Sequence, residues 1–353
     1  MIDRHFIVQH FSVAKPVHRH QSPGMGKSIL ICGGGGFIGN HLVRRLAAEG
    51  EGVVAADQAF PRYGPSQAGQ FHQGDLRDPA FVRRIFDRPF DEVYQLAADM
   101  GGAGYVFAGR NDAAIMRNSA LINLNVLDAV HRAGCGRVFF SSSACVYSDL
   151  AHATGSARCR EAEAYPANPD SDYGWEKLFA ERLYAAHARN HGMTARIARY
   201  HNVFGPEGAW ADGREKAPAA ICRKVAMAGP GVPVEIWGDG AQLRSFLYID
   251  ECVEATIRLM RSDFEGPVNI GSDRAISIEA LVDLVAEIAA KPIEKVHIDG
   301  PIGVRARCSD NALIAERLGW RPECDLRKGL EATYSWIAAQ IAAGRTDSCS
   351  RAA

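Results

Sequence analysis

The sequence has no C-x-x-C pair, no long apolar run and almost no net charge. Each absence excludes something. Nine cysteines are scattered singly through 353 residues, which argues against a disulfide framework or a zinc centre and for a reducing, cytoplasmic setting. With 40 basic and 41 acidic residues, the formal charge is −1, so no field draws the chain to nucleic acid or to a membrane surface. No apolar stretch reaches the length of a transmembrane helix. The first 25 residues lack the apolar core of a signal peptide. Residues 1–26 read as a flexible leader, and its His18 and His20 are not taken as metal ligands. Repeats and low-complexity tracts are also missing.

What is present is an alternation. "KSILICGGGGFIGNHLVRRLAAEG" reads strand, glycine turn, helix, and "EGVVAAD" is a second strand ending in an acid. "DEVYQLAA" and "GRVFFSSS" are further short apolar runs. Helical periodicity covers Ala113 to Arg132 and Ser171 to His191, and "MTARIARY" is a late strand. Strands alternating with helices imply a parallel sheet covered on both faces. The expected fold is α/β, a Rossmann-type doubly wound parallel sheet with a smaller, mixed C-terminal part. The first domain spans 27–200 and, after a loop-rich excursion, about 241–275, where "RSFLYIDECVEATIRLM" reads as a helix and "GPVNIGS" as a strand. The second takes about 201–240 and 276–344, with helices in "ISIEALVDLVAEIAA" and "LRKGLEATYSWIAAQIAAG". A tail, 345–353, follows.

Gly33, Gly36 and Gly39 form G-x-x-G-x-x-G between the first strand and helix, with Phe37 and Ile38 inside the motif. Glycines let a backbone approach a pyrophosphate, and a helix N-terminus supplies N–H donors. Asp57 ends the next strand, 18 residues after Gly39. A carboxylate there accepts ribose hydroxyls and repels a 2′-phosphate, favouring NAD over NADP. Asp75 and Leu76, in "GDLRD", are candidates for the adenine end, or an ordinary loop before a helix. Leu96, at the end of "DEVYQL", completes the candidate cofactor set.

Tyr173 and Lys177 form Y-x-x-x-K. On a helix, positions i and i+4 share a face, so phenol and ammonium point at one ligand. The cation, with the nicotinamide charge, is expected to lower the phenol's pKa for proton abstraction. The serine-rich strand end, Ser141 to Ser143, lies between these residues and the glycine motif. From about Lys27 to Gly344 the chain resembles the extended short-chain dehydrogenase/reductases, the nucleotide-sugar epimerases and dehydratases. The resemblance implies that Ser143, Tyr173 and Lys177 serve hydride transfer at a sugar carbon.

Sugar 4,6-dehydratases of that family commonly carry an Asp–Glu pair after this serine; here Ala144 and Cys145 stand there. A thiolate can remove a proton, and a neighbouring cation can lower its pKa toward neutrality. The alternative is a buried structural cysteine. The stretches "LAADMGGAGYV", "SSSACVY", "RYHNVFGP", "GREKAPAAICRK", "WGDGAQLRSF" and "GVRARCSDN" closely resemble the GDP-mannose 3,5-epimerases. Ser148 departs from that pattern where proline is usual, and Trp175 lies inside Y-x-x-x-K. The resemblance implies that Cys145 and Lys216 are the acid/base pair of a C3/C5 inversion, on a GDP-sugar, in an NAD-dependent isomerase.

A nucleotide diphosphate needs cations, and Lys224, Arg244 and Arg305 are the candidates, each alternatively a solvated surface charge. Glu215 and Gln242 belong to the same matched stretches and join the candidate substrate set. Asn202 bonds the substrate or caps a turn; Gly102 leaves room for the sugar or closes a loop. The resemblance implies a homodimer through Ala113–Arg132 and Ser171–His191. Ile115, Ile122, Val126, Leu178 and Leu183 suit that interface, or face the sheet. Another sugar nucleotide, such as a GDP-heptose, and a non-catalytic NAD-binding sensor are the alternative functions.

Overall fold

A computed structural model of the chain describes residues 26–148, 158–300 and 303–345. Apart from Gly26 and Arg345, the leader with His18 and His20, and the C-terminal tail, lie outside the described residues. Seven parallel strands form the larger sheet: β1 (Ser28–Cys32), β2 (Gly52–Asp57), β3 (Gln70–Gln73), β4 (Glu92–Gln95), β5 (Arg137–Ser143), β6 (Thr194–Tyr200) and β7 (Val268–Ile270). Their spatial order is β7-β6-β5-β4-β1-β2-β3. The order reverses between β1 and β4, which opens a crevice at the strands' carboxyl ends.

These strands read as continuous apolar runs because both faces are covered. Ile29 and Ile31 of β1 pack with Leu42 and Leu46 of the Phe37–Ala48 helix and Val253 of the Ile249–Arg261 helix. Leu30, from the same strand, turns to the opposite core, with Phe81, Val126, Phe140 and Tyr184. Each such fully buried large side chain contributes roughly 1.5–3 kcal/mol. The two long helices, Asp112–Ala133 and Asp172–His191, end at Gly134 and Gly192, both left-handed at φ 66°, where a side chain would be strained.

Of the two readings of the helix pair's apolar residues, burial within the chain holds. Ile115, Ile122, Val126 and Leu178 are buried in the chain's own core, and Leu183 packs against it. Met116, Leu124, Trp175 and Phe179 are the large apolar residues left exposed on these helices.

The remaining strands build smaller sheets. Ala275–Ser277, Leu243–Ser245, Ala306–Ser309 and Arg158–Cys159 form one of four strands, and Val234–Trp237 pairs with Lys295–Ile298. The helices Ala217–Met227, Ile278–Ala289 and Leu326–Ala342 pack a third core. "RSFLYIDECVEATIRLM" is therefore not one helix: Arg244 pairs with Ile276 and Arg307 in the four-stranded sheet, and the helix starts at Ile249. Pairing with distant strands overrides the local helical pattern. Among the described residues, no helix is long and apolar enough to cross a membrane, and no group of three His, Cys, Asp or Glu is arranged to hold a metal.

Candidate active site

The glycine turn sits at the strand-order reversal. The Leu96 amide donates to the Cys32 carbonyl, joining the ends of β4 and β1. A Cβ on Gly39 would lie 2.0 Å from the Gly33 carbonyl oxygen, so only glycine lets the helix pack this closely on the loop. The helix begins at Gly36 with no side-chain cap and no acid in its first turn, leaving backbone N–H groups and a positive dipole end for an anion. The Asp57 carboxylate accepts from the Gly35 amide at 3.0 Å and the Ala59 amide at 3.4 Å. Burial raises its pKa, opposed by these amides. Arg77 grips Asp75 in a bidentate pair, Nη2–Oδ2 2.6 Å.

One cavity of about 650 Å³ runs from here to the serine-rich strand end. It is lined by Gly33, Gly36, Phe37, Ile38, Gly39, Asp57, Asp75, Leu76 and Leu96, and continues to Ser143, Tyr173, Lys177, Asn202 and Lys216. An elongated, uncapped, glycine-floored crevice with a carboxylate at one end fits a dinucleotide.

Ser143 ends β5. Its Oγ accepts from the Cys145 amide at 3.2 Å, starting a single 3-10 turn, Ala144–Val146. The Asp172–His191 helix begins beside this turn, capped by Ser171. A Cβ on Gly174 would lie 2.1 Å from the Cys145 carbonyl oxygen, so the glycine after Tyr173 lets the helix rest on the turn. The Ser143 side chain stands near Tyr173 and favours its ionised form. The Lys177 ammonium lies 5.6 Å from the Tyr173 ring centroid and 5.0 Å from that of Phe140, and donates to the Ser141 carbonyl at 3.2 Å. Burial lowers its pKa, opposed by Glu176 and Glu181. The phenol departs from expectation. Burial raises its pKa, with the charges of Cys145 and Glu176 adding, and only Ser143 acts strongly against them. Protein groups alone do not activate Tyr173; desolvation outweighs the nearby ammonium.

Cys145 is raised too, by burial and by Asp170; Arg307, Ser143 and Lys216 pull the other way. A thiol near neutrality is thus not what the protein alone sets. Arg307 Nη1 lies 3.7 Å from the thiol sulfur and 2.6 Å from Asp170 Oδ2. Lys216 approaches from the opposite side of the fold, as the residue that starts the Ala217–Met227 helix. Burial lowers its pKa, and Cys145 is the group that raises it. Lys216 lines the cavity and Cys145 is not among its lining residues, but thiol and amine are close enough to shift each other's titration, and burial displaces each toward its neutral form.

The expected substrate residues divide. Asn202 lines the cavity in a left-handed conformation, φ 36°, its amide donating to the Ser245 carbonyl. Gly102 is a loop-closing residue, not sugar space: a Cβ there would lie 2.2 Å from the Glu215 carbonyl oxygen. The Glu215 carboxylate is bound to Arg223 and the Gly213 amide. Lys224 donates to the Glu235 carbonyl at 2.8 Å, Arg244 to the Val304 carbonyl at 2.6 Å, and Gln242 to the Trp237 carbonyl at 2.9 Å. Arg305 is exposed and paired with Asp239 at 2.8 Å. None of these five lines the cavity. Arg214, weighed from the sequence as the alternative to Lys216 for delivering the proton, lines it; the sequence reading missed Arg307, two residues beyond Arg305 in the same quoted stretch.

The comparisons with known proteins agree with this geometry. The family described as "NAD dependent epimerase/dehydratase family" matches residues 29–271. The chain is 43% identical to GDP-mannose 3,5-epimerase of Arabidopsis thaliana over 331 residues, 93% of this chain and 86% of the relative. It is 42% identical to GDP-mannose 3,5-epimerase 1 of Oryza sativa subsp. indica over 320 residues, 90% of this chain and 83% of the relative. Among solved structures, UDP-glucose 4-epimerase of Thermus thermophilus in complex with NAD superposes with TM-score 0.76 at 27% identity, covering 88% of this chain and 98% of that one.

Proposed function

The chain belongs to the NAD-dependent epimerase/dehydratase family, and from that premise we propose that it is an isomerase that inverts C3 and C5 of GDP-mannose to form GDP-L-galactose, with GDP-L-gulose as the side product of inversion at C5 alone. The observation that carries the reading is Lys216, from the start of the Ala217–Met227 helix, in the wall of the same cavity as Ser143, Tyr173 and Lys177, within electrostatic reach of Cys145 two residues beyond that serine. NAD, when bound, would supply reversible hydride acceptance for C4. Gly33, Gly36, Gly39 and Asp57 would hold its phosphates and ribose, and Lys177 and Tyr173 line the same cavity for the redox step.

Tyr173 takes the C4 hydroxyl proton, with Ser143 beside it in the cavity wall. The C4 ketone acidifies the hydrogens at C3 and C5, because each carbanion is delocalised as an enolate. Inversion needs a base on one face and an acid on the other. Cys145 serves one face and Lys216 the other, and their neutral-leaning pKa values suit a thiol–amine pair that exchanges protons with carbon rather than a locked ion pair. Arg307 offsets the charge of the thiolate as it forms.

Residues 201–240 and 276–344 make the substrate half, joined by Leu243–Ser245 and Arg158–Cys159, which pair in its four-stranded sheet rather than the larger one. For the diphosphate we retain Lys224, Arg244 and Arg305, with Gln242 and Glu215 behind them; engagement exchanges the Asp239 partner of Arg305 for phosphate oxygens. Exposed Met116, Leu124, Trp175 and Phe179 support a homodimer, since large apolar side chains gathered on two adjacent helices seek cover. The eight described cysteines are all free, which supports a cytoplasmic setting. Purified protein incubated with GDP-mannose, its products separated and identified by NMR, tests the function. Conversion to the two L-sugar nucleotides with no net cofactor reduction is expected; an unchanged substrate contradicts the reading.

A further inference from the structure

Residues 205–215 form a strap between the short strand Val203–Phe204 and the helix that begins after Lys216. The strap is fastened at three places. Arg44, on the first helix, clamps Glu207 with bonds of 2.9 and 3.1 Å, and His41 meets the Pro206 carbonyl at 3.2 Å. Glu207 has φ 67°, a conformation a non-glycine residue keeps only where its surroundings hold it. At the far end, Arg214 donates to the Met100 carbonyl and lies 4.0 Å over the Tyr105 ring, while the Gly102 amide donates to the Arg214 carbonyl.

The third fastening comes from the loop that follows Asp57. Tyr63, on that loop, packs into the core of the substrate half, edge-on to Trp336 with centroids 4.7 Å apart. Its hydroxyl oxygen accepts from Trp210 Nε1 at 3.0 Å, and Trp210 is buried in the middle of the strap. Arg62 stands 3.9 Å from Asp212, whose other oxygen accepts from the Arg214 amide. Beneath lies a second cavity of about 260 Å³, bounded by Gly36, Asn40, Tyr63, Glu207 and Arg214 and sharing Gly36, Phe37, Met100, Ala209 and Arg214 with the larger one. The loop thus starts at the carboxylate proposed for the ribose, crosses the glycine turn, and ends on the segment that carries Lys216.

We propose that Tyr63 is a positioning residue for Lys216: through Trp210 it latches the strap across the cofactor crevice, setting where Lys216 stands relative to Cys145 and restraining release of the dinucleotide. The inference rests on the acid/base reading above. Tyr63→Phe keeps the ring against Trp336 and removes the acceptor for the buried indole. Trp210→Phe removes the donor.

The test uses the holoprotein. NAD release is timed by quantifying retained nucleotide after dilution, and kcat and KM are measured with GDP-mannose. Loss of one neutral hydrogen bond corresponds to about fivefold in the latched population, so Tyr63→Phe should release NAD about fivefold faster. It should lower kcat for inversion by a similar factor and leave KM for GDP-mannose within about twofold. Because both residues act through one bond, the double variant should be no worse than Trp210→Phe alone. Unchanged release and kcat in Tyr63→Phe overturn the proposal, as do effects of the two substitutions that multiply independently. If the unsubstituted protein leaves GDP-mannose unchanged, the acid/base reading and the Lys216 part fall together, and the release measurement still decides whether Tyr63 latches the crevice.

Discussion

Arg307 offers the sharpest test of how the thiol is tuned. Its Nη1 stands 3.7 Å from Cys145 sulfur and 2.6 Å from Asp170 Oδ2, and both ionic side chains are buried. At 3.7 Å and an effective dielectric of about 20, a guanidinium attracts a thiolate by about 4 kcal/mol. Asp170 repels the same thiolate, so the two together nearly cancel. With side-chain relaxation and water entering the vacated site, loss of either one alone is expected to change the thiolate fraction by about tenfold, or about 1.4 kcal/mol, at neutral pH. Arg307→Met should slow alkylation of Cys145 by iodoacetamide about tenfold, and Asp170→Asn should accelerate it by a similar factor. The readout is mass spectrometry of the Cys145 peptide, which separates it from the other thiols. Arg307→Met also strands a buried carboxylate, at a cost of about 3–5 kcal/mol in stability. The double variant Arg307→Met/Asp170→Asn removes that burden and should return the alkylation rate to within about threefold of the starting protein. Both single substitutions moving the rate the same way, or neither moving it, refutes the reasoning.

Tyr173→Phe should abolish all turnover, while Cys145→Ala should still show substrate-dependent absorbance of reduced cofactor and form no inverted product; an alanine variant that inverts normally makes the thiol structural. Asp57→Ala should weaken NAD binding by about 1.5–3 kcal/mol, the worth of a charge-assisted hydrogen bond, measured by titration, and nucleotide extracted from the unsubstituted protein should be NAD rather than NADP. His201 is fully buried, and burial pushes its pKa down to about 3, opposed by its bond to Asn269. Its folded pKa lies below the unfolded value, so the unfolded chain binds the proton first and stability is lost as pH falls from about 6.5 toward about 3. The loss from this group is about 2 kcal/mol by pH 5, and His201→Gln should flatten that part of the Tm profile. A slope unchanged by the substitution assigns the acid sensitivity elsewhere.

The legible part of this protein was its local part. Gly33 to Gly39, Asp57, and Tyr173 with Lys177 are defined by short spacings within one turn, one strand end or one helix, and sequence periodicity places such groups on a common side. The apolar runs of β1, β2 and β5 were legible for the same reason. Arg307 was not, because its partners Asp170 and Cys145 lie 137 and 162 residues away and meet it only when the four-stranded sheet forms beside the larger one. Lys224, Arg244 and Arg305 were chosen for charge. Charge says nothing about the carbonyl or carboxylate that a fold supplies, and Glu235, Val304 and Asp239 hold those three. The pKa expectations for Tyr173 and Cys145 counted cations and omitted burial, which dominates at both positions. Ile115, Ile122, Val126 and Leu178 show the related ambiguity of a helix apolar on more than one side: periodicity finds the stripes and does not say which one meets the sheet.

The central claim is that protons leave and return at two carbons flanking a transiently oxidised one. The direct measurement is incubation of the purified protein with GDP-mannose in deuterated water, followed by NMR of the sugar. Deuterium at C3 and C5, in products inverted at those centres, with the original hydrogen kept at C4, is the predicted result. Inverted product without deuterium at C5, or inversion confined to C4, contradicts it.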